Sequence, residues 1–152
     1  MRRISSRTTF INKRLFPIFW FGFIAIFAAI SLTAMITSGQ LQIAFLLVPA
    51  GMAIVGYVIM KKFVFDLMDE VWDVGDALIV KNKNEEIRIP LAEIMNISYS
   101  YVTNPPRATL MLRHPCRFGT EVTFSPPISF IPFKKSPIVA ELIERVDAIR
   151  KS

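Results

Sequence analysis

Two uncharged apolar runs near the start of the chain limit its possible folds more than any other feature. They read LFPIFWFGFIAIFAAISLTAMIT over 15–37 and LQIAFLLVPAGMAIVGYVIM over 41–60, separated by Ser38-Gly39-Gln40. At a helical rise of ~1.5 Å per residue they extend roughly 34 Å and 30 Å, enough for a hydrocarbon core of about 30 Å. The first run holds twelve Leu, Ile or Phe residues, which together favour insertion by about 4–7 kcal/mol with no charge opposing. A transmembrane helical hairpin over 15–60 is the direct reading. A cleaved signal peptide fits less well, because the first run exceeds the usual apolar core of about 7–15 residues and no small-x-small site precedes the second.

Charge placement orients the hairpin. Arg2, Arg3, Arg7, Lys13 and Arg14 precede the first run, Lys61 and Lys62 follow the second, and the connection carries no charge. By the positive-inside rule both termini are expected in the cytoplasm. These residues supply much of the formal net charge of +6, which points to anionic headgroups rather than nucleic acid. Residues 1–14 read as a basic, unstructured tail at the headgroups. Small residues at three- and four-residue spacing suggest the helix contact: Gly22, Ala25, Ala29 and Thr33 against Pro49, Ala53 and Gly56. Trp20 reads either as an interfacial anchor or as facing the partner helix. Neither run contains an Asp, Glu, Lys, Arg or His, which argues for an anchor rather than an ion or substrate path.

Behind a connector over 61–69 the pattern changes to short alternating runs, and residues 70–152 read as one domain. Strands are predicted over Val71–Val74, Asp76–Lys81, Glu86–Pro90, Glu93–Tyr101, Ala108–Arg113 and Glu121–Phe124. Asn104-Pro105-Pro106 must interrupt the sheet, since proline has no amide donor. From Ser136, a candidate cap, an amphipathic helix is predicted, with Ile138, Val139, Leu142, Ile143, Val146 and Ile149 as its apolar face. Antiparallel strands closed by one helix define an α+β module, an antiparallel sheet or open barrel with a C-terminal helix.

Candidate chemistry in this domain is sparse. His114 and Cys116 are the only His and Cys in the chain, too few for a zinc site and without an orienting group for nucleophilic catalysis. No metal or cofactor site and no enzymatic activity are expected. Asp66, Asp69, Glu70, Asp73 and Asp76 form an acidic cluster, read as a solvated face that keeps the domain off anionic lipid, with a cation or docking site as the alternative. Arg107, Arg113 and Arg117, with Tyr99 and Tyr101, are the candidate surface for a partner's carboxylates or a headgroup. The plainer alternative for the arginines is solvated hairpin ends. Lys134 and Lys135 are candidates for membrane contact.

The run Val74-Gly-Asp-Ala-Leu-Ile-Val-Lys, followed by a polar turn and Glu86-Ile-Arg-Ile-Pro-Leu-Ala-Glu-Ile94, resembles the bacterial pleckstrin-homology-like domain. In that family a hairpin and an IPL-x-x-I segment precede further strands and a capping helix, and small members carry two transmembrane helices before the domain. The resemblance implies an interaction module on a membrane protein. Phosphoinositide binding is not carried over, because Asp73-Val74-Gly75-Asp76 is acidic where the lipid-binding version needs basic residues. The expected function is a non-enzymatic, membrane-anchored interaction module of the bacterial cytoplasmic (inner) membrane, contacting lipids and a protein partner in the same membrane. A homo-oligomer is compatible with this. The alternative is an accessory subunit of a transporter or envelope assembly whose helices make the main contacts.

Overall fold

A computed structural model describes residues 1–40, 42–128 and 135–152. The chain divides into two units, one formed by Phe10–Phe65 and the other by Met1–Thr9 together with Asp66–Ser152.

The first unit is helical. A π-helical turn, Ile11–Leu15, leads into α1, Phe16–Ser38, and α2 spans Ala44–Phe63. Both are long and apolar enough to cross a membrane. Gly39 ends α1 in the left-handed conformation, with φ 64°, the usual role of glycine just past a helix. Lys13 and Arg14 sit within the helical path and α2 carries Lys61 and Lys62 in its last turn, so the helices run past the apolar runs at both ends. The contact face of α2 follows the small-residue reading, with Pro49 and Gly56 buried and Ala53 half-buried. That of α1 does not. Gly22, Ala25, Ala29 and Thr33 are exposed, whereas Ile24 and Ser31 are buried. The reason is Trp20, whose indole lies directly over Gly56, where a Cβ would overlap it. One large side chain seated on one glycine rotates α1 away from its own small residues. Ser31 donates to the Phe27 carbonyl at 2.9 Å, which satisfies its hydroxyl without a partner from α2.

Among the described residues the second unit holds seven strands, a 3-10 turn over Leu91–Glu93 and one α-helix. Strands β1 (Arg2–Arg3), β2 (Glu70–Asp73), β3 (Ala77–Asn82) and β4 (Glu85–Pro90) form one antiparallel sheet in sequence order. Strands β5 (Ile94–Ser100), β6 (Arg107–Cys116) and β7 (Gly119–Phe124) form another, and α3 runs over Pro137–Lys151. Period-two alternation places Leu78, Val80, Ala108, Leu110 and Leu112 inward. Side chains of both sheets and of Val139, Leu142 and Val146 on α3 share one core. The antiparallel sheet with a C-terminal helix is therefore as expected, resolved into two sheets. Ser136 occupies the cap position of α3, but its carbonyl rather than its hydroxyl is engaged, accepting the Ala140 N–H at 3.0 Å.

One departure reorganises the domain. Residues 1–9 are no unstructured tail. Arg2 and Arg3 pair with Asp73 and Trp72, and Ile4, only 1% exposed, enters the core. The Ile4 amide donates to the Val71 carbonyl at 2.9 Å, the Ser5 hydroxyl accepts the Val71 N–H at 3.0 Å, and the Ser6 amide reaches the Ser125 carbonyl at 2.7 Å. The chain thus leaves the domain at Thr9, runs through both long helices and returns at Asp66. The connector expected over 61–69 is correspondingly short. Helix α2 reaches Phe63, while Leu67 and Met68 are buried and the Met68 amide donates to the Thr123 carbonyl at 2.7 Å.

Candidate functional site

Each carboxylate of the acidic cluster has a partner within the domain, while their exposure ranges from Asp73, at 14%, to Asp76, at 76%. Asp66 pairs with Arg107, and Asp69 accepts the Lys83 amide at 2.6 Å. That bond holds Lys83 at φ 56° in the β3–β4 turn, a conformation unusual for a residue with a Cβ. Glu70 takes Arg3 at 3.3 Å and the Trp72 indole N–H at 3.0 Å. Asp76 receives Arg88 at 2.9 Å. Asp73 is gripped by both terminal nitrogens of Arg145 from α3, at 2.5 and 3.2 Å, and by the Gly75 amide at 2.9 Å. Arg145 also donates to the Gly75 carbonyl, so one guanidinium pins α3 to the end of β2. Burial pushes the Asp73 pKa up, but the hydrogen bonds from Arg145 and Gly75 and the positive charges of Arg145 and Arg2 outweigh it and hold the group below its ordinary 3.8. The Arg145 pKa is raised, chiefly by its hydrogen bond to Asp73. This pairing has no local signature, since the partners lie 72 positions apart.

The arginines and tyrosines proposed as one surface are not brought together. Along β6, Arg107, Thr109 and Met111 alternate with buried Ala108, Leu110 and Leu112. At ~3.3 Å per residue, Arg113 stands roughly 20 Å from Arg107, and Arg117 lies farther on, in the β6–β7 turn. Arg107 is held by Asp66, and Arg117 by Glu85 at 2.9 Å. Tyr99 packs against the core, and Tyr101 is exposed in the segment after β5. Of the three arginines, only Arg113 has no ion pair or hydrogen bond among the described residues. It lines a cleft of about 190 Å³ with Leu91, Ile94, Val146, Ile149 and Arg150, and neither Arg150 nor this grouping was anticipated. A faint signal existed in Ile149, the last member of the predicted apolar face, which is 41% exposed.

A larger cleft, about 520 Å³, lies among Arg3, Ser5, Ser6, Thr8, Trp72 and Ile128, with Arg7 on its rim. Arg3 is already engaged there. Besides Glu70 it reaches the Ser5 hydroxyl at 3.3 Å and the Ser6 carbonyl at 3.4 Å, and it lies 5.9 Å from the Trp72 ring centroid. Arg7 remains exposed. Of the orienting charges, Arg2 and Arg3 therefore bind protein carboxylates, Arg2 reaching Glu141 at 3.1 Å. Arg14 stacks on Phe10 and Lys62 on Phe63, at 5.3 and 5.6 Å. Lys135 is exposed, and Lys134 lies outside the described residues. His114 bonds Glu93 at 2.7 Å while the Cys116 thiol donates to the Gly119 carbonyl at 3.2 Å, so the two point to different partners. Searches against family models, curated proteins and solved structures found no match.

Proposed function

We propose that this chain is a membrane-anchored interaction module, in which the helical hairpin holds a pleckstrin-homology-like domain at the cytoplasmic face of a bacterial inner membrane. The observation that carries the reading is the make-up of the domain. Antiparallel sheets of four and three strands share a core with a C-terminal helix, and the strand at one edge comes from before the hairpin. The hairpin is thereby tied to the domain at both ends. Lateral confinement raises the effective concentration of partners in the same membrane, so weak contacts suffice. The charge distribution supports the cytoplasmic side: Arg7, Lys13, Arg14, Lys61 and Lys62 flank the helices, against an uncharged connection.

Exchange of 10–65 for an unrelated two-helix hairpin, followed by crosslinking in native membranes, tests the proposal. The same crosslinked partner is expected before and after exchange. Loss of the partner with the domain still folded would transfer recognition to the helices, as an accessory subunit requires. Orientation has its own test. In a Cys116→Ser background, Thr120→Cys should escape an impermeant thiol reagent in intact cells and react in inverted vesicles. Labelling in intact cells would reverse the assignment.

A further inference from the structure

We infer that the cleft beside the C-terminal end of α3 is a docking site for an acidic peptide segment of a partner protein, one that sets an aliphatic side chain next to a carboxylate. Leu91, Ile94 and Val146, all buried in the domain, contribute its apolar side. Ile149 stands at its lip, an aliphatic residue on the apolar stripe of α3 that the core leaves partly uncovered. Two guanidinium groups complete the lining, those of Arg113 and Arg150.

Size and charge together narrow the occupant. At about 190 Å³ the cleft is smaller than the ~300–1,000 Å³ of sites that enclose whole small-molecule ligands. It matches a single anchoring side chain, the usual unit of recognition at a protein interface. The cations beside it ask for an anion. Arg113 is exposed and has no ion pair or hydrogen bond among the described residues. Arg150 bonds Asp147 at 3.0 Å and reaches the Met95 carbonyl at 3.5 Å, but its side chain is half exposed. A solvated pair of that kind contributes little and gives way to a better acceptor. An arriving carboxylate would take two parallel N–H bonds from a guanidinium fork, while the neighbouring aliphatic group displaces water from the cleft. Glu93, which ends the short 3-10 turn over Leu91–Glu93, is held by His114 at 2.7 Å.

The inference rests on the domain being an interaction module, and the two fail separately, since the hairpin exchange reads a native partner and the following assay reads this cleft. Full-length protein in detergent micelles is titrated into a fluorescein-labelled peptide of alternating acidic and aliphatic residues, Asp-Leu-Glu-Ile-Asp. A counterpart with serine for each aliphatic residue and one with lysine for each acidic residue are the controls. Binding of the first should exceed both controls about tenfold, the worth of one buried anchor or one charge-assisted contact. Arg113→Glu should lower it about tenfold, and Ala92→Trp, at the cleft margin, should lower it without touching a charge. Arg117→Glu, the same charge change in the β6–β7 turn, should leave it within about twofold. Equal binding of the serine peptide, an equal loss in Arg117→Glu, or no binding at all would overturn the inference. Uptake of laurate that Arg113→Glu abolishes, without peptide binding, would overturn it in favour of a lipid anion.

Discussion

The two units of this chain solve the same problem in opposite directions. In the helical unit the large apolar side chains point outward, with Phe19 and Ile36 each 74% exposed, and the helices touch mainly through Trp20, Ile24, Gly56 and their neighbours. In the domain the apolar side chains point inward, and nearly every charge near the first sheet is matched by another. The helices are long and apolar enough to cross a membrane, and the domain builds its own apolar interior. A helix satisfies its own backbone and needs only a low-dielectric surrounding, whereas a strand must find a neighbour and the sheet must find a core. The helical unit is therefore specified locally, and the domain by contacts far apart in the sequence.

Truncation of a core side chain should separate the units most sharply. Phe124→Ala, deep in the domain, is expected to cost about 3–5 kcal/mol, read from chemical unfolding in micelles, while Phe19→Ala on the outer face of α1 should leave the unfolding midpoint nearly unchanged. A similar cost for the two would break the distinction. Next comes Ile4→Ala, before the hairpin, which should cost the domain about 2–4 kcal/mol because Ile4 belongs to its core. No shift would return residues 1–9 to a tail. Within the helical unit, Gly56→Ala should cost about 1–3 kcal/mol by driving a methyl into the Trp20 indole, and the same substitution in a Trp20→Ala background should cost much less.

Where the sequence was legible, the reason was local. Absence of charge marked both long helices, and alternation marked the strands from Val71 onward to within about three residues at their ends. Strand β1 was invisible because two residues carry no period, and Ile4 has meaning only beside Val71. The partners of the acidic residues were hidden for the same reason: Asp73 needs Arg145, and Asp66 needs Arg107, which folding alone brings near. On α1 the spacing of small residues was real, but the contact is made by Trp20, whose ring is seated on Gly56. Of the candidate surface, Arg113 survives with uncommitted chemistry, and its companions Arg150 and Ile149 come from the helix that packs beside it.

Smaller effects test the electrostatic side. Asp73→Asn should destabilise the domain by about 1–3 kcal/mol, because Arg145 loses its charged acceptor. The sign of the pH effect follows from the lowered pKa. Ionised Asp73 stabilises the native domain fully above 3.8, and that contribution is lost as pH falls through the lower native value. Unfolding midpoints measured between about pH 5 and pH 2 should fall more steeply for the unaltered protein than for Asp73→Asn. Parallel curves would mean that the clamp does not form. The least effect is expected from Arg2→Ala, whose pair with Glu141 has both side chains more than half exposed. Such pairs contribute about 0–1 kcal/mol.

Residues on both sides of the hairpin build one sheet, and a crosslink across β1 and β2 tests this pairing. Arg3 and Trp72 are register partners, and opposed strand residues have the Cα spacing that a disulfide needs. With Arg3→Cys and Trp72→Cys in a Cys116→Ser background, and a protease site placed in the connection at 38–40, the protein is oxidised in its membrane and then cleaved. The two fragments should stay joined on a non-reducing gel and separate on reduction. Fragments that separate without reductant would contradict it.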